Sequence, residues 1–454
     1  MAFQSINPAT GEALETFEPT GPAALEQVLA RADTAARDWR RRPVSERAAL
    51  LRAAAGMLRR RRSVYARTMA LEMGKPLAQG EAEAEKCAVA CDYFAEKSGV
   101  LLASHDYPTE ATRSYVRLDP LGPVLAIMPW NFPFWQVLRF AAPALVAGNV
   151  AILKHAPSVP RCAVQLEELF RDAGFPDGVF ASVFIEPDSV ASVIADSRIR
   201  GVTLTGSPRA GASVGEAAGR SLKKVVLELG GSDPFIVLPD ADLARAAETA
   251  AEARLINSGQ SCIAAKRFIV VERVADQFLE LFTAAMQKRK VGDPLAPGTD
   301  IGPQARLDLR DALHRQVQES LERGARLVCG GEVPDRRGAF YPPTILTAVT
   351  PGMPAFDEET FGPVGAVIRA KDEADALALA NASAYGLGAS VWTADRARAE
   401  RLAAQLDAGS VFVNALVKSD PRLPFGGVKR SGYGRELSEH GLREFVNVKT
   451  VWVA

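Results

Sequence analysis

Cys262 stands in Asn257-Ser-Gly-Gln-Ser-Cys-Ile, a polar, glycine-containing break directly after a helical stretch. A cysteine there is neither shielded by an apolar run nor placed for a disulfide. Thiols attack carbonyl carbon as thiolates, which free backbone amides or a nearby cation stabilise; the competing reading is an inert buried thiol. Glu228 interrupts Lys224-Val-Val-Leu-Glu-Leu-Gly-Gly, so a carboxylate falls at the end of an otherwise apolar strand. Burial raises a carboxyl pKa toward neutrality, which suits a general base. The bland alternative is a structural carboxylate bonded to backbone amides. Asn131 sits in Met128-Pro-Trp-Asn-Phe-Pro-Phe-Trp, where two prolines stiffen the loop and could aim its amide at a fixed point. A preorganised amide donor is what an oxyanion hole requires; a rigid aromatic turn is equally consistent. Thr205-Gly-Ser-Pro-Arg-Ala-Gly joins a strand to a helix, and free amides at a helix N-terminus attract an anion. Lys154, at a further strand end, reads as a ribose or phosphate donor or as a surface lysine.

These residues need a scaffold that carries strand ends to one edge. Apolar runs of four to seven residues at 124–128, 150–153, 178–184, 201–205, 225–229 and 235–238 are mostly separated by helix-sized segments, the rhythm of βαβ units in a parallel sheet. Helical periodicity covers 23–39, 45–73 and 79–102. The pattern restarts after residue 240, with helices at 243–257, 275–289 and 308–323 and strands at 267–271, 326–329, 364–369 and 410–414, which predicts a second α/β domain. The tail 444–453 alternates like an exposed strand, and such a strand needs a partner. The Arg59–Arg62 run reads as a solvated helix face.

Composition limits the function. The chain has 454 residues, room for about three domains at ~150 residues each. Lys plus Arg equal Asp plus Glu at 54 each, so no global field favours nucleic acid or an anionic membrane surface. The N-terminal segment lacks a secretory pattern, and the longest apolar stretch, 140–153, is broken by Pro143, Gly148 and Asn149, so a cytoplasmic protein is expected. Five cysteines, thinly spread, and four histidines give neither a disulfide framework nor metal-ligand spacing. Cys87 and Cys91, one helical turn apart, read as core rather than as a redox pair.

Pro129-Trp-Asn-Phe-Pro, Leu153-Lys, Thr205-Gly-Ser, Leu227-Glu-Leu-Gly-Gly, Gly259-Gln-Ser-Cys, Glu359-Thr-Phe-Gly-Pro and Pro424-Phe-Gly-Gly-Val-Lys-Arg-Ser-Gly-Tyr-Gly-Arg-Glu together resemble the NAD(P)-dependent aldehyde dehydrogenase superfamily. The order holds from Asn7-Pro-Ala-Thr-Gly to Lys449-Thr-Val. The resemblance implies a Rossmann-type dinucleotide-binding domain (1–110 and 121–229), a second α/β catalytic domain (230–430) and a small β oligomerisation arm (111–120 with 431–454). It makes Cys262 the nucleophile, Glu228 the base that activates water against the thioester, and Asn131 the oxyanion donor. Trp130, Lys154, Pro157, Ser158, Thr205, Gly206, Ser207, Leu229, Glu359 and Phe361 would meet the cofactor.

Arg139, eight residues after Asn131, would place a cation in the substrate tunnel, as in the succinate-semialdehyde dehydrogenases, whose short bacterial branch this chain is most similar to; the competing reading is a salt-bridged structural arginine in an enzyme for generic aldehydes. Ser261 and Ser419 would complete a carboxylate clamp, with Phe132 and Trp135 as walls. Ile256 departs from the group, some of whose members carry a second arginine there. The alternatives are a broad-specificity enzyme for aliphatic or aromatic aldehydes, a silent scaffold, and a cofactor-free thiol hydrolase. NAD-preferring members carry Glu three residues after the lysine, where this chain has Pro157; the resemblance therefore implies NADP, with NAD also usable. It also implies a homodimer or homotetramer.

Overall fold

A computed structural model describes residues 3–454. Its central feature is a six-stranded sheet in the order Gly432–Tyr433, Lys224–Glu228, Gly201–Thr205, Pro123–Met128, Val150–His155, Phe180–Ser182. All pairings are parallel except the first. Val150–His155 and Gly201–Thr205 are buried along their whole lengths, because helices cover both faces and only apolar or satisfied groups survive there. Pro123–Met128 comes first in the chain among the parallel strands. The next strands add on one side of it and the later two on the other, so the order reverses between Pro123–Met128 and Gly201–Thr205. A crevice opens at the carboxyl ends of such a pair, and doubly wound folds bind ligands there.

The second sheet has seven strands, in the order Arg326–Cys329, Thr344–Thr347, Val364–Ala370, Ala265–Val271, Asp233–Val237, Gly388–Trp392, Ser410–Val413. The strand expected at 235–238 therefore opens this sheet rather than extending the first, since Phe235 pairs with Phe268 and with Ser390. Two further expectations need correction. The helical stretch 45–73 is two helices, Val44–Arg60 and Arg62–Met73, broken at Arg61. The segment 431–454 is divided: Gly432 pairs with Glu228 in the first sheet, and only Val446–Val453 joins the arm. That tail strand finds its partner within the same chain, pairing antiparallel with Arg113–Pro120 over its full length.

Arg59 and Arg61 are ion-paired at the surface, with Glu85 and Asp92 and with Asp172. Cys87 and Cys91 are fully buried free thiols, and burial pushes both thiols well up, which suits core packing and not redox exchange. Among the described residues no helix is long and apolar enough to cross a membrane, and no cluster of His, Cys, Asp and Glu could hold a metal ion.

Candidate active site

Thr205 and Glu228 are register partners at the ends of adjacent strands, and the Gly206 N–H donates to the Glu228 carbonyl at 3.0 Å. The helix Pro208–Arg220 starts immediately beyond, capped by Ser207, whose hydroxyl accepts the Ala210 N–H at 3.3 Å. Gly211 lets this helix lie against the site, since a Cβ there would fall 2.6 Å from the Leu229 side chain. On the other flank, Lys154 is buried and donates to the His155 carbonyl at a long 3.4 Å. Burial pushes its ammonium down. Ser158 Oγ is buried and has no hydrogen-bond partner, and Pro157 beside it is exposed. An unpaired hydroxyl, a poorly satisfied ammonium and a capped helix N-terminus are a donor set that fits a phosphorylated nucleotide.

The nucleophile loop is a locked turn. Ile256–Gly259 carries three successive left-handed residues: Asn257 at φ 54°, Ser258 at φ 57° and Gly259 at φ 78°. Each non-glycine residue in that region costs roughly 1 kcal/mol or more, so its neighbours must hold it. They do. The Asn257 amide donates to the Asn131 carbonyl at 2.7 Å, Ser258 Oγ accepts the Gly302 N–H at 2.9 Å, and Gln260 Oε1 accepts the Ala305 N–H at 2.8 Å. A Cβ on Gly259 would lie 2.2 Å from the Gly362 carbonyl carbon, so only glycine fits. The fully buried Lys266 gathers the carbonyls of Ser261, Cys262 and Ala264 at 2.8–3.1 Å. Burial pushes the Cys262 thiol up to about 12, while Arg139 and Lys266 pull it back.

Asn131 meets this loop from the opposite domain. Its Nδ2 donates to the Gln260 carbonyl at 3.1 Å, two residues before Cys262, and an amide nitrogen has a second hydrogen to give. Its backbone is fixed from below: Lys75 Nζ donates to the Asn131 carbonyl at 3.0 Å and lies 3.9 Å over the Phe132 ring. Lys75 is ion-paired with Glu83, whose carboxylate also accepts the Phe134 and Trp135 N–H groups at 2.9 Å each. Those amides open the helix Trp135–Ala147, where a negative charge is favoured.

Glu228 is 2 % exposed, and neither carboxylate oxygen has a hydrogen-bond partner. Burial holds its pKa well above the usual carboxylate range, against the pull of Arg139 4.0 Å away. Arg139 departs from the expected open cation. It is buried and ion-paired with Glu436, donates to Thr205 Oγ1 at 3.3 Å, and packs 4.6 Å from the Phe425 ring centre. Its charge is already answered at the Glu228 end of the site. Ser419 accepts from Lys86 at 2.8 Å, Ser261 is buried beside Cys262, and Ile256 is 37 % exposed. Glu359 accepts the Gly231 N–H at 3.0 Å and lies 3.7 Å from Lys266 Nζ, while Phe361 meets Trp130 edge-to-face at 5.7 Å. Two sequence-distant cofactor candidates thus border the same crevice as Asn131.

The aldehyde dehydrogenase family model matches residues 1–451. This chain belongs to the aldehyde dehydrogenase family. Among curated relatives it is 49% identical over 454 residues, covering all of both chains, to the probable succinate-semialdehyde dehydrogenase [NADP(+)] of Synechocystis. It is 50% identical over 448 residues, 99% of this chain and 97% of the other, to the succinate semialdehyde dehydrogenase [NAD(P)+] of Escherichia coli. Among solved structures, the succinic semialdehyde dehydrogenase of Streptococcus pyogenes in complex with NADP+ matches with TM-score 0.97 at 42% identity over both whole chains. The Gox0499 structure, described as bearing on cofactor and substrate selection, matches with TM-score 0.99 at 44% identity, again over both whole chains.

Several residues of this aldehyde dehydrogenase site escape a reading by motif. Lys75, Glu83 and Lys86 carry no motif of their own, Lys266 stands beside Arg267 in a buried strand, and Glu436 closes the Pro424–Glu436 motif with no role that the motif itself assigns. One signal was available: Glu83 falls among Gly80, Ala84, Cys87, Cys91 and Phe94, the buried phase of the helix Leu77–Leu101.

Proposed function

We propose that this enzyme oxidises succinate semialdehyde to succinate with NADP, using NAD as well. The observation that carries the chemistry is the meeting of Asn131 with the Cys262 loop through the 3.1 Å bond to the Gln260 carbonyl, with Glu228 free of hydrogen bonds at the adjoining strand end. The names of the full-length relatives at 48–50% identity support the substrate and the cofactor. A broad-specificity enzyme for other aldehydes is the reading this displaces.

In this proposal Cys262 Sγ adds to the aldehyde carbon. The second Asn131 amide hydrogen and the Cys262 N–H hold the resulting oxyanion, a contribution worth about 10²–10³ in rate per donor. Bound NADP supplies the hydride acceptor. Lys154 and the unpaired Ser158 hydroxyl suit the ribose and its 2′-phosphate, and Pro157 brings no carboxylate to repel it. Thr205, Gly206, Ser207 and Leu229 border the pyrophosphate end; Trp130, Glu359 and Phe361 border the nicotinamide end. Glu228, with its raised pKa and no hydrogen bond to release, takes a proton from the water that hydrolyses the Cys262 thioester. Phe132 and Trp135 wall the substrate, with Ser261 and Ser419 as polar contacts.

Residence in the cytoplasm and assembly into a homodimer or homotetramer belong to the same reading. The tail strand supports assembly: Val448, Trp452 and Val453 expose 60%, 50% and 45% of their surface on a paired but uncovered sheet. The deciding assay measures NAD(P)H formation from succinate semialdehyde, hexanal and benzaldehyde with each cofactor. The expected outcome is the highest kcat/KM for succinate semialdehyde with NADP. Equal or better turnover of hexanal or benzaldehyde refutes the substrate, and a strong NAD preference refutes the cofactor.

A further inference from the structure

Lys86 is a cation that the catalytic scheme leaves unused. It lies on the helix Leu77–Leu101, one turn from Glu83 and beside the fully buried Cys87. A helical lysine ordinarily extends its ammonium into water. Here Nζ sits 4.3 Å from the centre of the Trp135 ring and donates to Ser419 Oγ at 2.8 Å. Among the described residues no carboxylate forms an ion pair with it: Glu83 is committed to Lys75, and Asp420 to Arg422. Burial pushes the ammonium down to about 8, the Arg139 charge pushes the same way, and Glu83, Cys87 and Asp420 pull weakly against them.

Trp135 and Arg139 are one turn apart on the helix Trp135–Ala147; Lys86 lies against Trp135, and Arg139 lies 4.0 Å from the strand-end carboxylate Glu228. Arg139 is countered by Glu436 in direct contact, whereas among the described residues Lys86 has no carboxylate within ion-pair distance. Ser419 accepts from Lys86 and keeps its own hydrogen, so the pair offers an ammonium and a hydroxyl to the two oxygens of one carboxylate.

We propose that Lys86, held between Trp135 and Ser419, is the specificity-determining cation that binds the carboxylate of a short ω-carboxy aldehyde. The inference rests on the proposed substrate class and names the residue that selects it. An uncharged aldehyde of the same length gives nothing back to the ammonium and leaves it desolvated, so the site discriminates against it.

The test compares kcat/KM for succinate semialdehyde and butanal in the wild type, Lys86→Met and Lys86→Arg holoenzymes. The expected result is a fall of about 10–100-fold in the ratio for Lys86→Met, carried mainly by KM for the acid, with most of the ratio restored in Lys86→Arg. A ratio in Lys86→Met within about twofold of a wild type that itself prefers the acid overturns the role of Lys86 and leaves the function standing. A wild type with no preference for the acid overturns both. Succinate as an inhibitor of wild-type butanal oxidation gives a check that needs no variant: competition against butanal is expected, and its absence refutes an anion site in the tunnel.

Discussion

Arg139→Met separates two roles for a buried cation. The arginine contacts Glu436 and lies 4.0 Å from Glu228, and all three side chains are almost wholly out of water. A pair at that distance is worth about 4 kcal/mol at an effective dielectric of ~20, and removing one partner of a buried pair typically costs about 3–5 kcal/mol. The variant is therefore expected to lose stability on that order at neutral pH. The sign with pH follows from the carboxyls. Burial raises both Glu228 and Glu436 above their unfolded values, and loss of Arg139 raises them further. A carboxyl raised in the folded state costs nothing below its unfolded pKa of ~4.3, and its penalty grows as the pH climbs toward the folded value. The deficit should thus be larger at pH 8 than at pH 5 in thermal unfolding. Catalysis should follow: the base form of Glu228 appears at higher pH, so the acid limb of steady-state kcat moves upward for every aldehyde. Loss confined to succinate semialdehyde, with the limb unmoved, would refute this account and return Arg139 to the substrate's carboxylate.

Two other substitutions address the proposed chemistry directly. Glu228→Gln should keep a first-turnover burst of NADPH while slowing steady turnover, because the acid product waits on activated water; stopped-flow absorbance reads both phases, and loss of the burst counts against the role. Pro157→Glu introduces a carboxylate beside Ser158 and Lys154, and should lower kcat/KM for NADP about tenfold or more while sparing NAD; an unchanged cofactor ratio would remove the 2′-phosphate from this corner.

The fold was legible where burial is complete on both faces. Strands such as Val150–His155 read as apolar runs because nothing else is tolerated there, and Glu228 stood out for the same reason, as a charge where a charge is costly. The break at Arg61 was not legible, since neither glycine nor proline marks it and helix-forming residues continue through it. The strand Asp233–Val237 carried the right texture for either sheet, and only its pairing with Ala265–Val271 decides which.

The site was legible by residue type and incomplete by partner. Cys262, Glu228 and Asn131 each violate a local expectation, so each is visible alone. What makes them a unit is not local. Lys75 reaches Asn131 across 56 positions, and Arg139 meets a glutamate 297 positions later. Sequence periodicity measures the phase of a side chain on its own helix, and it has no access to which opposite charge waits in the cavity. That is why the spacing that puts Arg139 on the expected helix leaves a substrate-facing cation and a salt-bridged arginine both open until Glu436 is seen to answer it, and why nothing at the position of Lys86, three residues from a buried glutamate, announces that Trp135 and Ser419 enclose it. For an enzyme that must distinguish an acid aldehyde from a neutral one, the unanswered cation is the informative one, because only it can gain from the incoming carboxylate.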